Sequence, residues 1–229
     1  MRKTLVLALT LVLTLALASA PFAQEKPKTP EKKAPAAPTK GAPQMTPEQQ
    51  AMMEKWQKAA TPGPEHKFLA SMAGTWKAEV KSWESAGSQP QVSEGTGEDE
   101  VILGGRYVKS TFKSSFMNQP FEGMGLMGFD NVLKKFQGVW IDNMTTAMMI
   151  SVGDLDKTGT ILTTTDTYSN PQTGKAETSR SVLKVLDKDK KVMQMYGKGK
   201  DGKEFLMMEI TYTRASAAPA PAPGPKHKK

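Results

Sequence analysis

The sequence predicts an all-β fold: an antiparallel up-and-down β-barrel of about ten strands, preceded by two short α-helices. Three observations predict it. From Gly74 onward, apolar and polar residues alternate in short runs. Those runs are separated by glycine and Asx turn signals at hairpin spacing: Gly104-Gly105, Asn118-Gln119-Pro120, Asp130-Asn131, Asp156 to Gly159, Asn170 to Gly174, Asp187 to Asp189 and Asp201-Gly202. Helical periodicity is confined to the stretch before Gly74, so nothing interrupts the meander. A sheet of that length avoids bare edges most simply by closing on itself, with a two-sheet sandwich as the alternative.

Taken in chain order, residues 1–23 read as a signal peptide. Arg2-Lys3 precede an uncharged apolar stretch, Leu5 to Leu17, that is too short to span a bilayer and is followed by small residues suited to cleavage. Residues 24–45 are Pro, Ala, Lys, Thr and Glu with almost nothing apolar to bury, which predicts a disordered linker. Thr46 with Pro47 and Gln49 forms a capping box with proline at the first helical position, predicting a helix from Pro47 to Ala60 with Met52, Met53 and Trp56 on one stripe. The Thr61-Pro62-Gly63-Pro64 run breaks it. A second helix starts at Pro64, carries His66, Phe68, Leu69 and Met72, and stops by Gly74.

The predicted strands are Thr75 to Glu84, Gln91 to Leu103, Arg106 to Met117, Phe121 to Phe129, Lys135 to Met144, Ala147 to Gly153, Thr160 to Tyr168, Ala176 to Leu186, Lys191 to Lys198 and Glu204 to Thr213. Val108, Phe112 and Phe116 share one face of the third strand and Lys109 and Lys113 the other, so one face points into a core. Large apolar residues on both faces around Val139 and Ile141 require an outer cover or an outer contact surface. The barrel domain is thus 46–214. Residues 215–229 form an Ala/Pro tail with a Lys226-His227-Lys228-Lys229 tip, extended and disordered.

The formal charge of +8 belongs to the appendages. Between Thr46 and Arg214 there are 21 basic and 21 acidic residues. That removes the basic folded face a nucleic-acid binder needs. It leaves the tails a weaker role, contact with anionic envelope components. Zero cysteines exclude disulfides, thiol nucleophiles and cysteine metal sites, and one histidine in the barrel domain, His66, cannot build a multi-histidine centre, so no metal or cofactor is implied.

The run His66-Lys67-Phe68-Leu69, Gly74-Thr75-Trp76, Gly104-Gly105-Arg106-Tyr107, Phe121-Glu122-Gly123, Gly128-Phe129-Asp130-Asn131, Trp140-Ile141-Asp142, Asn170-Pro171, Arg180, Met195-Tyr196 and Met208-Glu209-Ile210-Thr211-Tyr212 with Arg214 resembles the bacterial domain-of-unknown-function family 1579 over residues 64 to 214. The resemblance implies a fold and names no activity. A looser one is to the calycin superfamily of lipocalins and fatty-acid-binding barrels, in Gly74-Thr75-Trp76 and a closing Arg214. It implies a structural cation–π contact between Trp76 and Arg214 where first and last strands meet.

Candidate chemistry follows from these elements. Flexible methionines and scattered aromatics suit a cavity for a small apolar or amphipathic ligand, with His66, Trp83, Tyr107, Trp140, Met148 and Tyr196 as lining candidates. His66 equally serves as a histidine satisfied by neighbouring backbone at the helix–barrel joint. Asp142, Asn143 and Thr145-Thr146 gather beside Trp140. With His66 they would make an acid–base enzyme site, although no Gly-X-Ser-X-Gly turn accompanies them and hairpin capping suits them as well. Gly123, Gly125 and Gly128 match Gly-X-Gly-X-X-Gly but lie within a strand, where glycine permits close approach and not phosphate binding. The leading expectation is an exported, non-catalytic ligand-binding barrel. The alternatives are an envelope protein–protein interaction module and an enzyme using His66 and Asp142.

Overall fold

The computed structural model describes residues 45–116 and 119–215. The expected signal peptide, the expected linker apart from Met45, the expected C-terminal tail apart from Ala215, and Asn118 of one predicted turn lie outside the described residues.

Helix α1, Pro47–Ala60, begins at the capping box read from the sequence: Gln49 N donates to Thr46 Oγ1 at 3.2 Å and Thr46 N to Gln49 Oε1 at 2.9 Å. It buries no residue, and Trp56 is 69% exposed. Helix α2, Pro64–Ser71, follows the Pro62-Gly63 break and buries His66, Phe68 and Leu69. With Met72 these apolar side chains pack on Val108, Phe136, Leu162 and Leu183, so α2 stoppers one end of the barrel.

Ten strands follow: β1 Gly74–Ser82, β2 Gln91–Ile102, β3 Tyr107–Phe116, β4 Gln119–Asp130, β5 Lys135–Asp142, β6 Met149–Leu155, β7 Ile161–Asn170, β8 Lys175–Asp187, β9 Lys190–Lys198 and β10 Glu204–Arg214. Each pairs antiparallel with its sequence neighbours, and β1 pairs with β10 in register Trp76↔Arg214 to close the barrel. Of the predicted turn at Asn118-Gln119-Pro120, Gln119 and Pro120 belong to β4, paired opposite Phe116 and Ser115, because the antiparallel ladder with β3 continues to that point.

The turns work through side-chain acceptors. Asp130 Oδ1 accepts from Val132 N and Leu133 N at 2.7 and 3.0 Å, and Asp156 Oδ1 from Thr160 N and Ile161 N at 3.2 and 3.0 Å. At the β2–β3 connection Gly104 and Gly105 take φ of +66° and +87°, a left-handed pair that glycine adopts without strain. Strand alternation then sorts the side chains. Trp76, Ala78 and Val80 of β1, Phe112 of β3, Trp140 of β5 and Ile210 of β10 point inward, while Lys109 and Lys113 of β3 point out.

Candidate functional site

The barrel interior is not filled. A cavity of about 550 Å³ runs from the α2 end to the opposite rim, within the size range of small-molecule sites. Its floor is Met72, Trp76 and Tyr212. Its body is Val80, Phe112, Phe121, Trp140, Met193, Met208 and Ile210. At the rim stand Phe116, Met144 and Met148, all exposed, with Met148 at 63%, so the cavity reaches the surface there.

Trp140 owes its place to two glycines. Its indole lies across Gly123 and Gly125 of the neighbouring strand, where an added Cβ would come within 2.2 Å of Cζ2 and 3.0 Å of Cε3. The ring Nε1 donates to Asp142 Oδ2 at 3.1 Å, and Asp142 Oδ1 accepts from Met144 N at 2.9 Å and Thr145 N at 3.3 Å. Asp142 therefore ends β5, fixes the ring and caps the rim loop.

Polar side chains also line the cavity, among them two buried clusters that contain ionisable groups. On the floor the Lys191 ammonium pairs with the Asp99 carboxylate, both side chains 8% exposed, and lies 4.4 Å from the Trp76 ring centroid and 4.9 Å from that of Tyr212. Burial pushes the Lys191 pKa down against the opposing pull of Asp99, and burial raises that of the Tyr212 phenol. Arg214 stacks on the same indole at 4.2 Å, donates Nη1 to Ala73 O at 2.7 Å, and so ties the last strand to the segment that follows α2. On the wall formed by β6, β7 and β8, Asp166 is 1% exposed. It accepts Thr164 Oγ1 at 2.8 Å and Ser181 Oγ, beside Ser151.

Of the residues singled out in the sequence, Trp140 and Met148 line this cavity. The other four lie elsewhere. Tyr107 is on the outer face of β3, its ring over Gly128. Tyr196 is on the outer face of β9, stacked under Arg180 at 4.0 Å, with Arg180 clamped on Glu204 through Nε at 3.0 Å and Nη2 at 2.5 Å. Trp83 lies just past the end of β1, its backbone N–H donated to Met207 O at 2.8 Å. His66 is buried at the helix–barrel joint, where Nδ1 accepts the Gly63 N–H at 2.9 Å and the ring meets Phe129 edge-on at 5.9 Å. Phe129 pairs with Phe136, whereas Asp142 is at the far end of β5, about 20 Å along the strand, so His66 and Asp142 do not meet. The sequence reading missed the polar wall of Thr164, Asp166 and Ser181 and the Asp99–Lys191 pair. Among the described residues, no group of three or more His, Asp or Glu is placed to hold a metal.

Geometry and lining define a class: a closed ten-strand antiparallel barrel with an internal cavity and one stoppered end. The chain belongs to the family described as "Protein of unknown function (DUF1579)", which matches residues 61–214. Among solved structures it is similar to Rv2717c from M. tuberculosis, with 12% identity and a TM-score of 0.52 over 68% of this chain and 100% of that one. It is also similar to a redesigned β-barrel (14% identity, TM-score 0.35, 65% of this chain and 95% of that one). A de novo designed fluorescence-activating β-barrel matches at 15% identity and a TM-score of 0.37, over 64% of this chain and 96% of that one. No curated protein matches the chain.

Proposed function

We propose that this protein is an exported, non-catalytic carrier that reversibly binds one small apolar or amphipathic molecule inside the barrel. The observation that carries the reading is the cavity of about 550 Å³, floored by aromatics and walled by methionines around Trp140. Burying apolar ligand area there contributes about 25 cal/mol per Å², and unbranched thioethers accommodate varied shapes without a fixed template. The apolar N-terminal run with its basic start supports export, and the lysine-tipped tail is suited to holding the carrier near anionic envelope polymers.

The test is a titration of the mature protein with the neutral fluorophore N-phenyl-1-naphthylamine. Saturable uptake of one probe per chain, with quenching of tryptophan emission that Trp140→Phe reduces, is the expected result. Emission that rises without saturating, and is unchanged in Trp140→Phe, would overturn the reading.

A second reading rests on a different observation. Met124 and Leu126 of β4, Ile141 of β5, and Ile150 and Val152 of β6 are exposed on the outer face and adjacent in register, through Met124↔Ile141 and the Leu126–Val139–Ile150 row. A contiguous apolar patch of that kind favours an interaction module. Replacing Leu126 and Ile150 by lysine would release a bound partner in that case and leave probe uptake intact.

A further inference from the structure

The polar wall of the cavity carries information about its ligand. Asp166 is the most deeply buried acidic side chain of the barrel, at 1% exposure, and among the described residues no basic side chain forms an ion pair with it. Its two oxygens are each occupied by a hydroxyl: Thr164 Oγ1 donates to Oδ1 at 2.8 Å and Ser181 Oγ donates to Oδ2. A serine or threonine hydroxyl has one hydrogen and two lone pairs. Once those hydrogens point at Asp166, the Thr164 and Ser181 oxygens have only acceptor capacity left for the cavity they line. These two oxygens therefore accept hydrogen bonds and are backed by a carboxyl group, a combination that rewards a donor placed between them.

The charge balance of the lining points the same way. Its carboxyl and amino side chains are Asp99, Asp142, Asp166 and Lys191, three acids against one base. Asp99 is neutralised by Lys191. Asp142 sits at the rim, held by Trp140 and two backbone N–H groups. That leaves Asp166 as the deep acidic side chain with no basic partner, a place where an added cation would be paired rather than buried alone.

Resting on the carrier reading above, we infer that the ligand is an amine-bearing amphiphile. Its ammonium donates to the Thr164 and Ser181 hydroxyl oxygens with Asp166 as counter-ion, while its apolar body lies against Trp140 and the methionines.

Competition against bound N-phenyl-1-naphthylamine by dodecylamine, dodecanol and dodecanoate, each below its micellar concentration, tests this. The three share one chain and differ only in the head. Non-specific attraction works against the expected order, because the +8 chain favours the acid. The expected result is displacement by dodecylamine at about tenfold lower concentration than by dodecanol or dodecanoate, the scale of one charge-assisted hydrogen bond. In Asp166→Asn that advantage disappears while the probe still binds. Dodecanoate or dodecanol competing as well as the amine overturns the inference and leaves the carrier reading standing, as does an amine advantage that survives in folded Asp166→Asn. Failure of the probe itself to bind overturns both. The ranking in the wild-type protein decides even where the variant does not fold.

Discussion

Lys191 and Asp99 form an ion pair inside the barrel although their strands, β9 and β2, are separated in the sheet by β10 and β1. The ammonium passes over the Tyr212 and Trp76 rings of those two intervening strands, so one lysine ties four strands together at the closure. Asp99→Leu or Lys191→Met alone leaves a buried charge unpaired and is expected to cost about 3–5 kcal/mol. The double variant Asp99→Leu/Lys191→Met is expected to recover most of that, because a well-packed apolar pair replaces the ion pair at little net cost. Urea unfolding of the three variants measures it. A double variant as unstable as the two singles summed would refute the coupling.

Gly123 and Trp140 predict a second outcome. A methyl group at 123 would meet the indole at 2.2 Å. Gly123→Ala is expected to destabilise the barrel by about 1–3 kcal/mol, as overpacking does, and to weaken N-phenyl-1-naphthylamine uptake by displacing the ring. Unfolding curves and probe titrations of the same preparation check both effects, and a variant that binds like the parent would show that Trp140 does not shape the site.

Helix α1 buries nothing of its own and is held at its C-terminal end by Asn131, whose Nδ2 donates to Ala59 O at 3.0 Å and Thr61 O at 2.8 Å. Asn131→Ala is expected to speed amide exchange across Pro47–Ala60 while leaving β1 to β10 protected, because local opening there breaks few apolar contacts. Exchange mass spectrometry on the full chain reads both segments at once. Unchanged exchange in α1 would mean that something other than Asn131 holds it.

Stability should fall on the acid side. The Asp156 carboxyl is held below its ordinary 3.8 by the Thr158 hydroxyl and by backbone N–H groups. Glu177 and Glu204 are held below 4.5, the first by Thr173 and Asn170 and the second by Arg180. Each native carboxyl is the stronger acid, so the unfolded chain takes up its proton first as pH drops. The stabilisation is complete above the unfolded values of 3.8 and 4.5 and is lost as pH falls through the lower folded ones. Thermal unfolding from pH 7 to pH 3 should give a midpoint that is flat and then declines, with a shallower decline in Asp156→Asn. An unchanged acid limb in that variant would remove Asp156 from the account.

Much of the fold was legible before the structure, for a physical reason. Hairpin strands carry their inside/outside sign in a period of two, and Asx and glycine turns mark where each ends. β3 reads correctly from Val108, Phe112 and Phe116 alone. The same rule would have excluded Tyr107, which shares parity with Lys109 and Lys113, and Tyr196, which alternates with the inward Met193 and Met195. The polar wall was harder to find. β7 reads Ile-Leu-Thr-Thr-Thr-Asp-Thr-Tyr-Ser-Asn, polar on both faces, so no sign marks Thr164 and Asp166 as interior until Leu162 is seen packed in the core. Asp99 and Lys191, 92 residues apart, have no local signature at all.

The central claim is that the barrel carries a molecule, and native mass spectrometry of the full chain, purified gently from the cells that make it, tests this most directly. The account predicts a population heavier than the polypeptide by one discrete small molecule, released on denaturation and recovered by extraction. A mass equal to the bare polypeptide in every charge state, across repeated preparations, would contradict it.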